Sequence, residues 1–145
     1  MGKSQQAAGA ALERDLDRFH ATLKGWYVQR NHPKDYRTKG PPDYLALRGV
    51  AVLFDAKNSG GDHWSLHLLK PHQAIALDQF ANAGGISALY LRLATGDVFV
   101  PWSKVTPRWR TWYATRQADR LTAADGVAVF GCDWTRALDS LRGAP

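Results

Sequence analysis

The sequence predicts an α/β fold, a mixed β-sheet flanked by helices in a single compact domain, and three observations carry that prediction. The chain opens on an amphipathic helix pattern. Two β-rich runs meet at Arg48-Gly49 as a hairpin. A helix starting near Pro71 then leads into the strongly apolar run Ile86 to Leu93. The 145 residues match one ordinary domain, and a hydrophobic fraction of 45% excludes a disordered chain.

Over 5–24, Leu12, Leu16, Phe19 and Leu23 form one apolar stripe, with Ser4 as N-cap and Gly25 as the stop. Trp26-Tyr27-Val28 reads as a short strand. From Asn31 to Pro42 the chain turns polar, basic and proline-rich, as a surface loop does. Tyr44 to Leu47 and Val50 to Phe54 are the hairpin, and His63 to Leu68 is a further short strand. Pro71 suits the first turn of a helix running to about 83, with Ala76, Leu77 and Phe80 facing inward and Gly84-Gly85 closing it. Ala94-Thr95-Gly96-Asp97 turns the next strand into Val98-Phe99-Val100. The core of the single domain, which spans 1–145, thus covers about 5–104, and a C-terminal extension covers about 105–145. In the extension a helix is expected after Pro107, a strand over 126–132 and a closing helix over 134–141.

Composition narrows the class of function. No apolar run approaches the ~18 residues that span a bilayer, and the opening residues carry no signal-peptide core. The lone Cys132 has no partner for an intramolecular disulfide, which suits a reducing compartment, and the apolar Phe130-Gly131-Cys132 context gives it a packing role. A cytoplasmic protein is expected, with no membrane partner. A net charge of +6 and a pI near 9.7 favour a polyanionic partner. Charge alone leaves that partner open, so the motifs must decide.

The chemistry concentrates on Asp43 and on Asp55-Ala56-Lys57. Side chains alternate along a strand, so Asp55 and Lys57 share a face. The hairpin brings Asp43 close to Asp55, and two carboxylates at one sheet edge suit a hard divalent cation. Lys57 is then placed to hold a phosphate oxygen or to assist deprotonation of an attacking water. The plain alternative is a strand-end ion pair between Lys57 and Asp55. Glu13 adds a carboxylate beside the first helix's apolar stripe, either reaching the sheet or simply solvated, and Arg14 either pairs with it or touches phosphate. Gln73 is a buried amide near the site or a cap for its own helix start. Lys34, Arg37 and Lys39 form either a DNA-contacting loop or a solvated basic one. His63 and His67 have helical metal spacing but sit in a loop and strand. Arg108, Trp109, Arg110, Trp112 and Tyr113 interleave cations with aromatics, as single-strand binders do, although packing accounts for them better.

Taken together, Glu13-Arg14, Pro42-Asp43, Asp55-Ala56-Lys57 and His72-Gln73 resemble the PD-(D/E)XK nuclease superfamily. The resemblance is nearest to the Holliday-junction resolvases of the bacterial RecU type and the archaeal Hjc type. Phe54 to Lys57, Lys70-Pro71-His72-Gln73 and Gly84-Gly85-Ile86 follow the RecU order, and the similarity runs from about Leu12 to Val100. It implies a restriction-endonuclease-like fold, with Asp43 and Asp55 binding magnesium (or manganese in its place) and Glu13 helping to hold metal or substrate. Lys57 would position or activate the water, and Gln73 would support the site. It further implies a homodimer that cuts opposing strands of a branched double-stranded DNA, a four-way junction, leaving 5′-phosphate and 3′-hydroxyl ends. A bacterial, archaeal or phage-encoded source fits. Asp55 stands where these resolvases usually carry Glu. The short segment between Tyr27 and Asp43 leaves no room for the long RecU insertion, which is a feature of the archaeal enzymes. The alternatives are a restriction- or repair-type nuclease acting on linear duplex, and a non-cleaving DNA-binding module on the same fold.

Overall fold

The computed structural model describes residues 3–31 and 42–142, with side chains described from Ala7 onward. Helix α1 (Lys3–Thr22) starts before the expected cap, so Ser4 lies within it. Its stripe behaves as predicted: Leu12 and Leu16 are fully buried, with Phe19 and Leu23 packed at the margin. Gly25, at φ 83°, turns the chain away after the helix, a conformation that side chains rarely tolerate.

Strands β1 (Tyr27–Arg30), β2 (Tyr44–Leu47) and β3 (Ala51–Asn58) form an antiparallel meander. The β2–β3 hairpin is the predicted one, in a register that sets Tyr44 against Phe54. After β3 the chain leaves the sheet for β4 (His63–Ser65), shorter than expected because Leu66–Leu68 winds into a 3-10 turn. Helix α2 (Pro71–Asn82) then carries the chain across, so that β5 (Ile86–Leu93) returns parallel to β3. Its inward face is Ala74 and Leu77, with Phe80 beside them. Ala76, expected there, is only half-buried, because the 74, 77 pair is the one spaced onto the sheet.

Strand β6 (Gly96–Pro101) continues antiparallel. Helix α3 (Trp102–Thr115) begins well before Pro107, which lies inside it rather than at its start. The reason is burial: Trp102, Val105 and Trp109 recur at helical spacing on the core side, while Pro107 sits on the exposed side. That burial offsets the one intrahelical hydrogen bond a proline forfeits. Strand β7 (Arg120–Thr122) pairs with β4 in a small second sheet, and β8 (Val127–Val129) joins the main sheet beside β6. A Cβ on Gly126 would stand 2.4 Å from the Phe99 carbonyl oxygen, so only glycine lets β8 approach. Helix α4 (Trp134–Arg142) closes the described chain.

The six-stranded order is β1-β2-β3-β5-β6-β8, antiparallel except at β3–β5. Alternation along β3 and β5 splits the core into two layers. Leu53, Leu89 and Leu91 face α2 and α3, while Val52, Phe54 and Tyr90 face α1 and α4. The residues after 105 contribute to both layers, Trp109 and Leu121 to the first, Val129, Cys132 and Trp134 to the second. No helix among the described residues is long and apolar enough to cross a membrane.

Candidate active site

Strand alternation decides where the charges go. On β3, Asp55 and Lys57 share the face of Leu53, towards α2 and α3. Since Tyr44 stands opposite Phe54, the next pair along is Asp43 and Asp55. The two carboxylates are locked reciprocally across the strands. The Asp43 amide donates to Asp55 Oδ1 at 3.0 Å, and the Ala56 amide donates to Asp43 Oδ2 at 2.9 Å. The two carboxyl groups also lie within hydrogen-bonding reach of each other. Burial, then the charge of Asp55 and the hydrogen bond to it, push the Asp43 pKa up to about 8. The Ala56 amide and Lys57 oppose that rise.

Asp55 is 1% exposed, and its Oδ2 is a buried acceptor that receives no hydrogen bond. Lys57 Nζ lies 2.8 Å from this oxygen, a charge contact whose angle does not meet hydrogen-bond geometry. The expected ion pair and the expected carboxylate site therefore coexist. Lys57 Nζ also donates to Gln73 Oε1 at 3.3 Å, and the same oxygen accepts from the Lys70 amide at 3.3 Å. Gln73 thus serves both readings of it: it caps the start of α2 and steers the lysine.

Glu13 takes a different partner. Its carboxylate pairs with Arg30 at 2.5 Å, Arg30 also holds Asp17, and the Tyr44 hydroxyl donates to Asp17 at 3.2 Å. These groups lie on the α1 side of the sheet, one residue along the strands from Asp43, since Arg30 stands opposite Tyr44. Sequence reasoning passed over Arg30. The signal was there in Glu13 and Asp17, four residues apart on one helix face and in need of a cation. Asn31 closes this corner, its amide donating to the Asp43 carbonyl at 2.6 Å and its side chain to the Pro42 carbonyl at 2.9 Å. Arg14 is exposed. Lys34, Arg37 and Lys39 lie outside the described residues.

The donor set fits a hard divalent cation. Two carboxylates converge, one oxygen is buried without a hydrogen bond, and burial together with repulsion between the pair raises a pKa that a cation would lower. Among the described residues no group of three or more His, Cys, Asp or Glu forms a candidate metal cluster. Magnesium commonly uses one or two protein carboxylates, completed by water and substrate phosphate. Two suffice.

A mixed sheet flanked by helices, with charged groups where β2 begins and β3 ends, away from the turn that joins them, is a restriction-endonuclease-like fold. It is similar to the structure of Archaeoglobus fulgidus Hjc, a Holliday junction resolvase from an archaeal hyperthermophile. That match has a TM-score of 0.55 and 19% sequence identity, covering 83% of this chain and 95% of the other. The model of the RecU family, recombination protein U, matches residues 28–121, and the chain belongs to that family. No curated protein matches the chain in sequence.

Proposed function

We propose that the protein is a structure-selective endonuclease that resolves four-way DNA junctions by metal-dependent phosphodiester hydrolysis, acting as a homodimer that nicks opposing strands. The observation that carries this reading is the Asp43–Asp55 pair, whose buried Asp55 Oδ2 receives no hydrogen bond, set against a lysine steered by Gln73. Membership in the RecU family and the likeness to the archaeal resolvase support junctions as the substrate.

Asp43 and Asp55 would hold the magnesium ion, which when bound acidifies a coordinated water and offsets charge developing on phosphorus. The chain's own residues set the rest. The reciprocal amide bonds fix the carboxylates before substrate arrives, so little reorganisation is left for the reaction. Lys57, held by Asp55 and Gln73 and still partly exposed, presents its ammonium to the attacking water or to a phosphate oxygen. Glu13 acts through Arg30, fixing a cation beside the Asp43 corner. Arg14, with Lys34, Arg37 and Lys39, supplies further phosphate contacts.

The test is a labelled four-way junction and a linear duplex, each incubated with magnesium and with EDTA. Paired, magnesium-dependent nicks in the junction alone support the proposal. Equal cutting of linear duplex points to a general nuclease, and tight binding without cleavage points to a binding module.

A further inference from the structure

The aromatic and basic run at the end of α3 is not absorbed by the site above. Trp109 is core, but Trp112 is half-exposed and Tyr113 is 45% exposed. Arg116 caps the helix with φ 60°, a left-handed conformation that arginine adopts at a cost. Its guanidinium lies 4.8 Å from the Trp112 ring and 4.8 Å from the Tyr113 ring. His67 approaches the Trp112 ring, at 6.4 Å between centroids. Arg30, Arg92, Arg108 and Arg110 all pair with carboxylates. Among the described residues none pairs with Arg116. Two rings thus hold a full positive charge at the surface with its N–H groups uncommitted.

The topology aims this group at the end of the sheet where the carboxylates sit. Helix α3 runs antiparallel to α2: Trp102 donates to Asp78 in the second half of α2, and Trp109 donates to the Leu69 carbonyl just before α2 begins. Lys70, the next residue, is exposed and gives its amide to Gln73, which contacts Lys57. Arg116 stands seven residues beyond Trp109. That is roughly 10 Å farther along the axis, about three base-pair steps of B-DNA.

We propose that Arg116, pre-set by Trp112 and Tyr113, is a second anchor for the DNA backbone, gripping a phosphate of the duplex arm on the α3 side of the cleavage site, with Lys70 between the two. Contact with two rings leaves little rotamer freedom to lose on binding, which suits a guanidinium that must find one phosphate. The proposal rests on the reading of the chain as a DNA nuclease. A capping arginine that merely offsets the helix dipole would leave DNA affinity untouched.

The experiment measures binding of a fluorescent four-way junction across a salt series, in an Asp55→Asn background so that nothing is cut. Asparagine tolerates the left-handed conformation, so Arg116→Asn removes the charge without straining the cap, and Arg116→Gly serves if Asn alters the melting midpoint. One lost phosphate contact lowers the log–log salt slope by ~0.9, so the affinity gap to the parent narrows roughly threefold between about 50 and 200 mM salt. Arg116→Lys is expected to restore the slope. Arg48→Gln, at the β2–β3 turn on the opposite end of the sheet, is expected to leave it unchanged. Unchanged affinity in Arg116→Asn overturns the anchor while sparing the nuclease reading, and so does a loss of affinity with no change of slope. A parent protein that binds no DNA sinks both.

Discussion

Two charged clusters sit on neighbouring strands of the same sheet, and they are built to opposite ends. On β5, the Arg92 guanidinium holds Asp97 through two bonds of 3.0 Å and Asp15 at 2.7 Å, while the Tyr90 hydroxyl donates to Asp97 at 2.5 Å. Both Asp97 oxygens are satisfied, and the hydrogen bonds to Asp97 and Asp15 raise the arginine pKa far above its ordinary value. On β3, Asp43 and Asp55 repel each other, one oxygen goes without a hydrogen bond, and Lys57 is shared with Gln73. One cluster is closed, the other is open to a further cation. Ion pairs alone therefore do not mark a candidate site; unspent electrostatic demand does.

The largest effect expected from breaking this contrast is on catalysis. Asp55→Asn should lower junction cleavage roughly a thousandfold or more, as loss of a metal-holding charge does, while binding and the melting midpoint hold. Single-turnover cleavage beside a binding titration checks it. Asp97→Asn should do the reverse, costing about 2 kcal/mol of stability by leaving Arg92 half-paired, with cleavage per folded molecule intact. Urea denaturation reads that loss. Magnesium at millimolar excess should raise the wild-type melting midpoint by a few degrees, because it binds the folded site alone, and should not raise that of an Asp43→Asn, Asp55→Asn double variant. A shift preserved in the double variant would place the ion elsewhere.

The smallest effect is a pH slope from the α1 side. His20 Nε2 accepts a hydrogen bond from the Trp134 indole at 2.9 Å, and burial drives its pKa from 6.5 down to about 4, against the pull of Asp17. The unfolded chain takes up a proton here that the folded one refuses. Stability from this group is full above about 6.5 and drains as the pH falls towards 4. His20→Gln should flatten that slope in urea midpoints taken across the range, with cleavage at neutral pH unaffected.

Much of this was legible because it follows from periods. Alternation set Asp55 and Lys57 on one face, and a hairpin without slack put Asp43 opposite Asp55. The helix stripe of Leu12 and Leu16 was equally direct. What escaped was decided by tertiary demand. Pro107 drew the expected start of α3 to itself, but Trp102 and Val105 had core to bury and carried the helix back past it. Arg30 lay beyond the short strand expected over Trp26-Tyr27-Val28, and only the fold, which extends β1 to it, brings it to Glu13 and Asp17. The closeness of Trp109 to Leu69 needed the antiparallel packing of α2 and α3, which no local pattern encodes.

Trp134 has a consequence for how the protein comes into being. It is fully buried, stacked on Phe99 and packed against Phe54, which itself stacks on Tyr44, the residue after Asp43. During synthesis the aspartates emerge early, yet the aromatic floor beneath them stays open until residue 134 has cleared the ribosome. A nascent chain therefore carries Asp43 and Asp55 before it has the aromatic packing that holds their strands in register, and the pair is set only once residue 134 has joined the fold.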